Sequence, residues 1–218
     1  MVQWAYLVME AVYFTLGTLS MTRTLKNWKE NKNRILIAIS VYIIAVLARS
    51  LIDIIIYITG FTLDAVLAGT LTVGQVIGNI LFVIQLEFMF FLKKYPKLYS
   101  LPVIIAFYLI IGRILVDSAI PFIIYAMLVS YSSAYFLIRD GKRRHNGLAI
   151  GMGLFFLIWG LGQTIGPNTE WIFITFRLIA MVTLYAGTRG FYEKYVWPNQ
   201  EKEQKIMNAW ITKLVAKK

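Results

Sequence analysis

The chain has 218 residues, of which 59% are hydrophobic and 15% charged, with a mean hydropathy of +0.67 and a formal net charge of +11. A soluble domain of this length carries about 25% charge, so a soluble globular fold is excluded, and with it the reading of the basic excess as a nucleic-acid surface. Cysteine is absent, which removes disulfides, thiolate metal sites and cysteine nucleophiles; the single histidine, His145, removes bis-histidine haem ligation and histidine-rich metal sites.

The apolar residues gather into segments of about 20, the length that crosses a hydrocarbon core of about 30 Å. Taken in chain order, the spans are expected over residues 3–22, 35–59, 69–92, 99–117, 119–138, 147–166 and 170–191. The first lacks a basic start and a small-residue cleavage site, so it is expected to stay as a span rather than act as a signal peptide. The breaks fall at "RTLKNWKENKNR", "TGFTLDAVLAG", "KKYPKLYS", "DSAIP", "RDGKRRHNG" and "GPNTE", where Gly60, Pro96, Pro121 and Gly166-Pro167 interrupt helices.

Lysine and arginine set the orientation. One set of loops holds Arg23, Lys26, Lys29, Lys32 and Arg34, then Lys93, Lys94 and Lys97, then Arg139, Lys142, Arg143 and Arg144. The other loops hold acids such as Asp64 and Glu170 and no lysine or arginine. The positive-inside rule places the N-terminus outside and the C-terminus in the cytoplasm. The expected fold is therefore all-α: a polytopic protein of the cell membrane, with a seven-transmembrane-helix bundle over residues 1–192 and a cytoplasmic tail over 193–218.

That tail reads as an amphipathic helix. Ile206, Met207, Trp210, Ile211, Leu214 and Val215 recur on one face, flanked by Lys205, Lys213, Lys217 and Lys218. It is expected to lie on the anionic inner leaflet; docking to a cytoplasmic protein or pairing in a homo-oligomer, through residues 199–218, is the alternative. No output domain or enzyme is expected to be attached after it.

With the basic loops and the tail cations, beginning at Arg189 and Lys194, assigned to the cytoplasm, three cations remain, all inside spans: Arg49, Arg113 and Arg177. A charge at bilayer depth costs at least about 2.5 kcal/mol, so each needs a partner or water. At 1.5 Å per residue, Arg49 stands roughly 21 Å from the inner edge of its span. Glu10, Asp53, Gln75, Asn79, Arg113, Asp117, Gln163 and Arg177 share its outer half or border it. These nine residues form the candidate ligand site, an outward-facing polar layer. Arg49 and Asp53 also stand four apart on one helix, where they pair locally, so a structural ion pair is the competing reading. "ARSLID" and "GRILVD" share an R-x-L-x-D pattern, with "WGLGQ" at the corresponding place in the sixth span, a hint of three related hairpins after one extra helix.

Enzyme chemistry finds no footing: the sequence has no GxSxG elbow, no HExxH and no P-loop. No cofactor is implied. The layout resembles that of opsins, seven-helix receptors and several small solute carriers, but topology alone assigns no family, and a seventh span without lysine excludes a retinal Schiff base there. The expected function is a non-enzymatic sensor or receptor that binds a small molecule from the outer side and signals to a cytoplasmic partner. A small-solute transporter using the same polar layer, or an accessory subunit, is the alternative. The glycines of "GLAIGMG" and "WGLGQTIG" are expected to permit close helix packing.

Overall fold

The computed structural model describes residues 2–32, 34–59, 66–68, 71–116, 120–165 and 170–196. Seven long helices follow one another: α1 Val2–Asn31, α2 Arg34–Thr59, α3 Val73–Lys93, α4 Leu101–Val116, α5 Ile120–Arg144, α6 Gly147–Ile165 and α7 Glu170–Thr188. A short helix, α8 Phe191–Val196, closes the described chain. Among the described residues, five apolar segments are long enough to cross a membrane: Ile35–Thr59, Gln75–Lys93, Pro96–Leu115, Ile120–Arg144 and Trp171–Thr188. The apolar stretch of α6, Gly147–Gly162, is shorter, and α1 is too polar to join the five.

Helix boundaries differ from the sequence reading in three places. α1 runs on through the expected loop "RTLKNWKEN", because Leu25, Lys26 and Lys29 are sound helix formers and no breaker intervenes. It stops at Lys32, which takes a positive φ and donates its amide to Trp28 O. α3 begins at Val73 rather than residue 69. Just ahead of it, β1 Val66–Ala68 pairs antiparallel with β2 Leu71–Thr72, giving backbone groups in the connection the partners they need. α5 continues past residue 138 to Arg144.

Helix adjacency describes a ring. α1 packs on α2 and α7, α7 on α6, α6 on α5, α5 on α3, and α3 on α2. α4 stands outside this ring against α3, with Val103, Phe107, Tyr108 and Leu115 exposed. The centre is filled by Tyr13, Tyr42, Ile43, Val46, Phe88, Met152, Phe155, Phe156, Trp159, Met181 and Leu184. Edge-on aromatic contacts knit it, with Tyr42 meeting Phe156 at 5.1 Å and Phe155 at 6.0 Å between centroids. A second, smaller cluster of Phe82, Tyr125, Ala126 and Val129 joins α3 to α5.

Glycine sets the approach of α6 to α7. A Cβ on Gly151 would stand 2.8 Å from Gly187 Cα and 2.8 Å from Thr183 O, so the two backbones touch. Dispersion between closely approaching backbones drives such pairs in an apolar solvent. α7 ends at Gly190, whose φ of +72° is the left-handed conformation that stops a helix.

Candidate functional site

Glu10 stands on α1, Arg49, Ser50 and Asp53 on α2, and Arg177 on α7, so the site lies where α1 packs between α2 and α7. The apolar sequence around each makes it helical, and the ring then turns all five side chains together. Arg177 is the hub and is only 2% exposed. Its Nη1 lies 2.5 Å from Glu10 Oε1 and 2.8 Å from Asp53 Oδ2, and its Nη2 donates to Glu10 Oε2 at 3.4 Å. Ser50 Oγ donates to the same Glu10 oxygen at 2.6 Å. Arg49 holds Asp53 from the other side, Nη2 to Oδ1 at 3.0 Å and Nε to Oδ2 at 3.2 Å.

Two carboxylates and two guanidiniums sum to zero, which is what a low-dielectric site requires. Glu10 is fully buried and Asp53 is 7% exposed. Only Arg49, at 21% side-chain exposure, reaches the surface of the bundle. The Arg177 guanidinium also lies over three rings: Tyr13 at 4.8 Å, Trp159 at 5.5 Å and Phe173 at 5.6 Å. A weakly hydrated guanidinium suits such a cage better than an ammonium would. Toward the end of the bundle where α1 begins, Tyr6, one turn before Glu10, lies tilted against Tyr57, one turn after Asp53, at 4.2 Å, and meets Trp171 edge-on at 6.0 Å. The quartet is thus enclosed by aromatic rings on both sides.

Of the nine residues expected to form the polar layer, four meet here: Glu10, Arg49, Asp53 and Arg177. Asn79 is buried on α3 and gives Nδ2 to Ala106 O on α4 at 3.0 Å, so it serves the α3–α4 join. Gln75 is half-buried near the start of α3, and Arg113 is half-buried on the peripheral α4. Gln163 belongs to the last turns of α6. Asp117 lies outside the described residues, and with it the second R-x-L-x-D pattern; so do the tail helix and residues 199–218. Ser50 and the ring walls Tyr13, Trp159 and Phe173 were not singled out from sequence. Tyr13 stands three residues after Glu10 and Ser50 three before Asp53, spacings that place them on the same helical faces.

Among the described residues no three His, Asp or Glu side chains converge as a metal site. Chemically, the quartet can fix three helices to one another and can answer a group that competes for either carboxylate. No family model, curated protein or solved structure matches the chain.

Proposed function

We propose that the chain is a non-enzymatic seven-span sensor of the cell membrane, with its N-terminus outside and its C-terminus in the cytoplasm. The Glu10–Asp53–Arg177 cluster is its two-state element. A small molecule from the outer side shifts it by competing for a carboxylate or for Arg177, and α7 and α8 carry the shift to a cytoplasmic partner. The observation that carries this reading is the single guanidinium of Arg177 bridging α1 and α2 from α7, the helix that leads directly into α8. An intramembrane ionisable group with such placement is a functional candidate, and a bistable ion cluster is a recognised means of coupling distant sites.

Transport draws support from Gln85, Ser130 and Ser133, buried polar side chains on α3 and α5. Against it stands the aromatic packing of Tyr42, Phe155 and Phe156, which fills the centre between the quartet and the basic end. An assembly role would use the quartet purely as a fastener.

The absence of cysteine makes the test direct. Spin labels on cysteines introduced at the exposed positions Lys26, on α1, and Lys194, on α8, report the distance between the basic ends of these helices. In lipid nanodiscs, Asp53→Asn and Glu10→Gln should shift or broaden that distance distribution. Identical distributions in a folded wild type and both variants would leave the quartet as a fastener and remove the sensor reading.

A further inference from the structure

At the opposite end of the molecule from the quartet, a cleft of about 220 Å³ opens between α1, α6, α7 and α8. Arg23, Thr24 and Asn27 of α1 line it, with Thr188 and Arg189 at the end of α7 and Glu193 of α8. It is smaller than a drug-sized pocket, yet ample for a phosphate ester group.

Its polar groups are sorted. The two threonine hydroxyls donate to their own helices, Thr24 to Ser20 O at 2.7 Å and Thr188 to Tyr185 O at 2.8 Å. Arg189 spends Nε on the Tyr185 hydroxyl at 2.8 Å, leaving its two Nη groups. Arg23 forms no ion pair or hydrogen bond among the described residues. Arg23, Arg189 and Glu193 therefore line one cleft together, and among the described residues neither guanidinium is ion-paired with the carboxylate, which leaves both for a phosphate.

Glu193 supplies the opposite preference. Its Oε1 accepts the Gly147 amide at 2.7 Å, completing the first turn of α6, which Asn146 caps from Oδ1 to the Ala149 amide at 3.1 Å. A side chain at position 147 would collide with that carboxylate. Oε2 is buried and has no donor. A buried carboxylate oxygen without a donor has lost its hydration and gained nothing in return. A ligand that brings a hydroxyl or an ammonium meets this need.

The surroundings favour a lipid over a free metabolite. Leu19 lies one turn from Arg23 on α1, and Val182 two turns from Arg189 on α7; both are exposed apolar side chains on the same faces as the arginines. They continue the cleft into an apolar strip on which acyl chains would lie. We propose that this cleft is a phospholipid headgroup site: the phosphodiester sits between Arg23 and Arg189, and a headgroup hydroxyl or ammonium donates to the Glu193 carboxylate that lines the cleft.

Native mass spectrometry of the full chain in detergent, titrated with single lipids, tests it. Phosphatidylglycerol and phosphatidylethanolamine should bind at least tenfold tighter than phosphatidylcholine, whose headgroup lacks a donor. Arg23→Gln with Arg189→Gln should weaken phosphatidylglycerol at least tenfold, while Lys97→Gln with Lys142→Gln, an equal loss of charge at exposed positions away from the cleft, should weaken it less than threefold. Equal loss in the two pairs would reduce the effect to bulk attraction by a basic surface and overturn the site. Glu193→Gln keeps an acceptor for Gly147 but presents an amide; it should cut the preference for phosphatidylethanolamine over phosphatidylcholine at least threefold, and an unchanged preference would overturn the role of Glu193. Glycerol 3-phosphate binding as tightly as the lipid would overturn the lipid assignment in favour of a soluble phosphate ester.

Discussion

Arg177 and Arg23 are both arginines on helices of the same bundle, and they live by different rules. Arg177 is sealed between two carboxylates and three rings, with its charge cancelled within 3 Å. Arg23 is exposed at the rim of a cleft that Arg189 and Glu193 also line, and it is ion-paired with no acid among the described residues. In a dry site, charge must be neutralised by the protein itself, because removing one partner leaves an uncompensated ion. At the helix ends water and lipid headgroups share that task, and arginines stay available for a ligand. One region is an internal joint and the other an open receptor for anions, and burial is what separates them.

Substitutions sharpen this contrast in descending order. Arg177→Met removes the hub, strands the buried Glu10 carboxylate and leaves Asp53 with Arg49 alone, so it should cost about 3–5 kcal/mol, read as a lower denaturant midpoint in mixed micelles. Asp53→Asn keeps the volume and the Glu10 pair but weakens two charged hydrogen bonds; a loss of about 1.5–3 kcal/mol is expected from the same unfolding curve. Arg49→Ala leaves Asp53 with Arg177 and removes a partly exposed pair, for a loss of about 1 kcal/mol or less. Arg23→Gln with Arg189→Gln in lipid-free micelles should move stability by no more than about 0.5 kcal/mol. A double variant at the cleft as damaging as Arg177→Met would erase the distinction.

Salt separates the regions too. Exposed charges are screened over about 8 Å at physiological ionic strength. Raising salt should weaken phosphatidylglycerol binding at the cleft while leaving the Asp53→Asn stability difference unchanged.

Much of the bundle was legible because long apolar segments have few alternatives: the ends of α2, α4, α6 and α7 fall within a few residues of those read from "RILIAIS", "YSLPVII", "HNGLAIG" and "NTEWIFI". The overrun of α1 was not legible, since a basic, uninterrupted helix former looks like a loop to a hydropathy reading. At the site, shared depth drew Glu10, Arg49, Asp53 and Arg177 into one set, and the folded helices bring these four side chains into contact. Depth says nothing about angular position, so Asn79 was drawn in as well although its amide belongs to Ala106 on α4. Ring order, which decides which helices meet, comes from packing between segments far apart in sequence. The cleft was hidden for another reason: Arg23 and Arg189 had already been explained by orientation, and Glu193 by nothing at all.

The account turns on Glu10 and Arg177 being one energetic unit across 167 residues of chain. A double-mutant cycle with Glu10→Gln and Arg177→Gln, measured by reversible unfolding in mixed micelles, tests this directly. The geometry predicts a coupling of about 2–3 kcal/mol, at the upper end for a contacting pair; effects that add to within about 0.5 kcal/mol would contradict it.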